Sequence, residues 1–258
     1  MLRSSNPALK TLEQTAQMSL GPRDEFVADR TQAMTIDGTV NKTGLLLLIA
    51  IAAGAWTWQK AMTGFAAGDA SAAMPLVWGG LIGGFIVALA TIFKPQWATV
   101  TAPLYAVLEG LAMGAISAMF ELRFPGIVVS AVGATFATLG AMLLAYKTGL
   151  IQVTDTFRKV IFYATGGIML YYLLSLVLGF FSVQVPMIHD SGPLGIIFSL
   201  FVVVVAAMNL ALDFDFIEKA SDQGAPKYME WFGAFTLLMT LVWLYLEMLR
   251  LLAKLRDE

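Results

Sequence analysis

After residue 42 the chain settles into one rhythm, in which long apolar runs are separated by short polar or glycine- and proline-rich breaks. A helix that crosses the hydrocarbon core needs about 20 mostly apolar residues. Seven runs meet or approach that length: Thr43 to Gln59, Met74 to Phe93, Thr99 to Met119, Gly126 to Tyr146, Val160 to Phe181, Leu194 to Phe216 and Trp231 to Leu252. Gly64 and Gly68, Lys94-Pro95, Phe124-Pro125-Gly126, Pro186, Ser191-Gly192-Pro193 and Gly224-Ala225-Pro226 fall between them, where helix-breaking residues belong. The pattern predicts an all-α membrane protein, a bundle of seven transmembrane helices joined by short loops over residues 43–258. The first 42 residues are polar with balanced charge and lack the basic start and apolar core of a signal peptide, so they read as a mostly flexible cytosolic tail.

Composition agrees and narrows the chemistry. The chain is 58% hydrophobic and 13% charged, with a mean hydropathy of +0.75 and a net charge of −2, which leaves no basic surface for nucleic acid. Cysteine is absent and His189 is the only histidine, so thiolate catalysis, cysteine-ligated metals and multi-histidine sites are excluded for a single chain. With the amino terminus inside, eleven Lys and Arg residues fall on the cytosolic side and five (Lys60, Arg123, Arg250, Lys254 and Arg256) on the other, which favours amino terminus in and carboxyl terminus out. Gly79-Gly80-Leu81-Ile82-Gly83-Gly84, and Gly110 with Gly114, carry small-xxx-small spacing, read as close helix packing in preference to hinges.

The candidate chemistry lies in acids placed inside apolar runs. The sixth run turns polar in its second half with Asn209, Asp213, Asp215 and Glu218; Asn209, Asp213 and Ile217 are four apart and stack on one face, while Asp215 points elsewhere. Glu109 lies ten residues into the third run, near mid-bilayer at ~1.5 Å per residue. Glu247 stands in the seventh, with Arg250 three residues on, so it is either one half of a helix-surface pair or an ion ligand. Ionisable groups at such depth are expensive and mark ion or proton paths or structural pairs. Carboxylates from different helices facing one lumen suit a hard divalent cation, which takes oxygen ligands. Two acids close together in low dielectric share one proton, so such a pair is a latch that pH can operate. Enzyme readings fare worse: the Leu-Asp-Phe-Asp setting of Asp213 is not the Gly-x-Gly-Asp type expected of an intramembrane aspartyl protease. Neither an enzyme nor a resident cofactor is expected.

Leu212-Asp213-Phe214-Asp215-Phe216-Ile217-Glu218 resembles the end of the sixth helix in the Bax inhibitor (TMBIM) family, and Leu244-Tyr245-Leu246-Glu247 resembles that family's Leu-Tyr-Leu-Asp in the seventh. The Arg3 to Leu9 start, Ala102 to Gly110 and Gly224-Ala225-Pro226-Lys227-Tyr228 look like its bacterial branch with a long amino-terminal tail. The resemblance implies a bundle with the last helix central, in the bacterial inner membrane. It further implies a calcium leak channel or calcium/proton antiporter gated by protonation of an acidic pair. By position that pair is Asp213 and Glu247, which would also be the calcium ligands, with Asp215, Glu109 and Asn209 along the cation path. It also implies a link to a membrane-anchored AAA protease, so a non-transporting regulator or substrate of that protease is the rival reading. The seventh-helix acid is Glu where the family has Asp. Asp213 stands eleven residues before the Gly224-Ala225-Pro226 turn and Glu247 twenty-one beyond it, an offset of ten residues or roughly 15 Å along straight helices.

Overall fold

The computed structural model describes residues 33–69, 71, 74–181 and 192–257. Residues 1–32 of the expected tail, and His189, lie outside the described residues. The seven predicted runs are helices: α1 Ile36–Ala66, α2 Met74–Phe93, α3 Ala98–Arg123, α4 Ile127–Lys147, α5 Asp155–Phe180, α6 Pro193–Asp222 and α7 Met229–Asp257. All seven are long and apolar enough to cross a membrane, and the protein is a multi-pass membrane protein of the all-α class.

Most helices outrun the apolar stretches that predicted them, because their ends are set by capping rather than by hydropathy. α1 begins at Ile36, seven residues ahead of the apolar run at Thr43, so residues 36–42 are helical rather than part of a tail. Thr35 caps it, its hydroxyl accepting from the Gly38 N–H at 3.0 Å, with Asp37 in the first turn where the helix dipole favours an anion. Thr154 caps α5 in the same way through the Phe157 N–H at 3.2 Å. The start of α4 is capped from the preceding helix: Glu121 of α3 accepts from the N–H groups of Gly126 at 2.6 Å and Val128 at 3.1 Å. α6 ends on Gly224, whose φ of +66° is the left-handed conformation that glycine adopts without strain, and the Ala225 N–H closes back on the Ala220 carbonyl at 2.9 Å.

α7 is the central helix. It packs against α1, α3, α4 and α6 and is the most deeply buried of the seven spans. α3 lies between α1 and α2, and α5 packs chiefly on α6. The small-residue stretches serve the first of these contacts. A Cβ on Gly114 would come within 2.8 Å of the Gly54 Cα on α1, one on Gly110 within 2.9 Å of the Ala50 Cα, and one on Gly80 of α2 within 2.9 Å of the Ala112 Cβ. Backbones meet there without side chains between them, which is how dispersion holds helices together in lipid.

Candidate functional site

Along α7 the residues Thr236, Thr240, Trp243, Glu247, Arg250 and Lys254 follow one another at steps of four and three, so they form a single stripe down one face. That face looks toward α6 and α5. The Thr240 hydroxyl donates to Asp213 Oδ2 of α6 at 2.6 Å, and the Thr236 hydroxyl faces the same carboxyl. Farther along, Glu247 is all but fully buried; the Tyr172 hydroxyl of α5 lies 3.0 Å from both of its oxygens, and Arg250 Nη1 donates to it at 2.8 Å. The Arg250 guanidinium is held over the Tyr172 ring, 4.9 Å from its centroid. At the end of the stripe buried Lys254 donates to the Gly195 carbonyl in the first turn of α6 at 3.0 Å.

The two acids expected to form one gate therefore sit at different heights. Asp213 faces Thr240, which is seven residues short of Glu247 on α7, or ~10 Å along the helix axis. The reason is register. The connection between α6 and α7 runs from Gln223 to Tyr228, and side chains nearly equidistant from it, Asp213 and Thr240, are the ones that meet. Trp243 fills the interval, packed with Ile168, Val202 and Val205, and Leu210 and Leu244 are fully buried nearby. Trp243 Nε1 is buried and turned toward the Glu247 carboxyl one turn on, outside ideal hydrogen-bond geometry. A calcium ion takes its oxygen ligands at about 2.3–2.6 Å, and this arrangement does not bring the two acids together around one such point. Among the described residues no group of three or more His, Cys, Asp or Glu is placed to hold a metal.

The remaining candidates disperse. Asn209 and Asp213 share a face of α6 but not a partner: Asn209 Nδ2 donates to Thr165 Oγ1 of α5 at 2.8 Å, whereas Asp213 turns to α7. A four-residue step turns a side chain by only about 40°, so this one side of α6 faces both neighbours, which themselves meet at Tyr172 and Glu247. Asp215 is ion-paired with Arg158 of α5 and with Lys219 at 2.8 Å. No ion pair among the described residues includes Asp213. Glu109 is nine-tenths buried on α3 and faces α2, where its Oε2 lies 3.0 Å from the position a Cβ on Gly84 would take. It stands apart from the stripe.

Two groups escaped the sequence reading. Tyr172 carries no signal of its own in the aromatic-rich Tyr171-Tyr172-Leu173 setting. Glu230 is fully buried at the start of α7 and accepts from the Thr35 N–H at 2.9 Å, the Thr35 hydroxyl at 2.8 Å, Lys227 Nζ at 2.8 Å and Lys42 Nζ. It ties the first turns of α1 to α7, and the Met34 N–H adds a bond to the Ala225 carbonyl at 2.7 Å. Lys227, three residues before Glu230, was the one local hint; Thr35 and Lys42 are nearly two hundred positions away.

The family model described as Bax inhibitor 1 like matches residues 6–257. Comparison with curated proteins and with solved structures gives no significant match.

Proposed function

The chain belongs to the Bax inhibitor 1 like family, and on that premise we propose that it is a pH-gated pathway for calcium, a leak channel or calcium/proton antiporter, in a bacterial inner membrane with its amino terminus in the cytosol. The observation that supports this reading best is the polar stripe of α7, which runs from Thr236 to Lys254 and has two carboxylates along one line, Asp213 of α6 against its first two positions and Glu247 just past its middle. The acids act in series rather than as one chelating pair. Asp213 has hydroxyl partners and no cation among the described residues, so its proton is the charge-setting element; when the proton leaves, the new anion draws water and a cation into the α6–α7 contact. Glu247, steadied by Tyr172 and Arg250, receives the ion beyond the apolar interval at Trp243. Calcium fits as substrate because the stripe offers oxygen ligands and no sulfur. Asp215 and Asn209 border the α5 side of the same helix, and Glu109 is assigned no step.

The test is calcium flux into dye-loaded proteoliposomes on either side of neutral pH. Flux should rise as pH rises. Asp213→Asn should remove that dependence, and Glu247→Gln should lower flux while leaving the dependence in place. Flux and pH response unchanged in Asp213→Asn would sink the assignment.

A further inference from the structure

Between the first turns of α5 and the last turns of α6 lies an open groove of about 610 Å³ that the stripe of α7 does not use. Arg158, Lys159 and Lys219 stand along it with one acid, Asp215, and the apolar side chains Phe162 and Phe216 line its floor and flank. Arg158 and Lys219 share Asp215. Lys159 is exposed and has no hydrogen-bond or ion-pair partner among the described residues. Among the lining residues three cations face one carboxylate, an excess of two positive charges in a groove whose walls are otherwise greasy, and the neighbouring Glu218 is taken up by the Tyr146 hydroxyl. Both helices end here on the same side of the bundle, so the cations stand at the level where headgroups meet the hydrocarbon. Phe162, 71% exposed, stands one turn farther toward the bilayer interior.

We propose that this groove binds an anionic phospholipid, with the phosphate held by Lys159, Lys219 and the outer face of Arg158 and one acyl chain lying along Phe162 and Phe216. Charge complementarity decides for an anionic headgroup, since a zwitterionic one brings its own cation into a site already in excess of positive charge. The apolar floor decides for a lipid over a free anion: a soluble phosphate would leave it uncovered, whereas an acyl chain entering sideways from the bilayer buries it. Basic pockets between transmembrane helices at one membrane face recognise lipid headgroups by this division of labour. Arg158 makes the site more than a passive anchor, because a phosphate that engages its guanidinium competes with Asp215.

The full-length protein, released from nanodiscs of phosphatidylcholine containing phosphatidylglycerol, is examined by native mass spectrometry for retained lipid. Phosphatidylglycerol should be retained in preference to phosphatidylcholine, and the preference should weaken about fivefold on Lys159→Gln and roughly thirtyfold on Lys159→Gln with Lys219→Gln. Lys159→Gln removes no contact that holds the fold, so its loss of lipid cannot be put down to unfolding. Equal retention of the two lipids, or preference unchanged in the double variant, overturns the proposal. Stabilisation of the lipid-free protein in detergent by inorganic phosphate, equal to that by phosphatidylglycerol and lost in the same variants, would assign the site to a free anion and overturn it as well. No arm of the test depends on ion transport.

Discussion

Replacing Glu230 by alanine should loosen the junction of α1 and α7, and the size of the effect follows from what the carboxylate touches. It accepts two hydrogen bonds from Thr35 and one charged contact each from Lys227 and Lys42. A hydrogen bond to a charged group contributes about 1.5–3 kcal/mol, at the low end where the donor is partly exposed as Thr35 is, so the Thr35 pair accounts for ~3 kcal/mol. The lysines contribute less than their charge suggests, because Lys227 is 45% exposed and Lys42 20% exposed, and both return to water when the acid is gone; ~1 kcal/mol for the two together is the scale for such pairs. The total is ~4 kcal/mol for Glu230→Ala. Glu230→Gln keeps an acceptor for Thr35 and should lose about half of that. Thermal unfolding in detergent, followed by tryptophan fluorescence, reads the global effect. Trypsin reads the local one: Lys42 lies in the second turn of α1, and cleavage after it should become faster in Glu230→Ala than in wild type. An alanine variant that melts with wild type and keeps Lys42 equally protected would refute the claim that this carboxylate holds the start of α1 in place.

Two further substitutions probe the packing and the far end of the stripe. Gly114→Leu drives a side chain into the Gly54 backbone of α1, where even a Cβ comes within 2.8 Å of the Gly54 Cα; it should lower the melting temperature sharply, by more than the ~1–3 kcal/mol of ordinary overpacking, whereas Gly133→Ala, with open space around its Cβ, should leave it unchanged or slightly raised. Tyr172→Phe removes the hydroxyl that meets both oxygens of Glu247; calcium flux in proteoliposomes should change in amplitude while its pH dependence, set by Asp213, stays where it is, and a shifted pH response would place the two acids in one titrating unit.

Much of the site was legible one residue at a time and illegible as an arrangement. Asp213 and Glu247 stand out because a carboxylate inside an apolar run is costly wherever it points, and that needs no coordinates. Their separation does need them: counting from the Gly224-Ala225-Pro226 turn gives an offset of ten residues, and the structure, which pairs Asp213 with Thr240, leaves seven. The longer connection from Gln223 to Tyr228 accounts for one residue of the difference, and the height at which α7 packs against α6 for the rest, neither of which the apolar runs record. The stripe of α7 was present in the sequence as steps of three and four from Thr236 to Lys254, but threonine and tryptophan inside an apolar helix draw no notice until a neighbour's carboxyl is found against them.

What the sequence by itself determined is the number of spans, their class and the family, because hydrophobic length and periodicity are properties of each segment alone and the family pattern covers residues 6–257. What only the tertiary structure decided is partnership: that Glu230 gathers Thr35 and Lys42 from the other end of the chain, that Asp215 takes Arg158 while Asp213 takes a hydroxyl, and that Glu109 faces α2, away from the stripe of α7. Each is fixed by the rotation and height of one helix against another. Those two coordinates come from how glycines and side chains interlock across the whole bundle, and no single segment contains them.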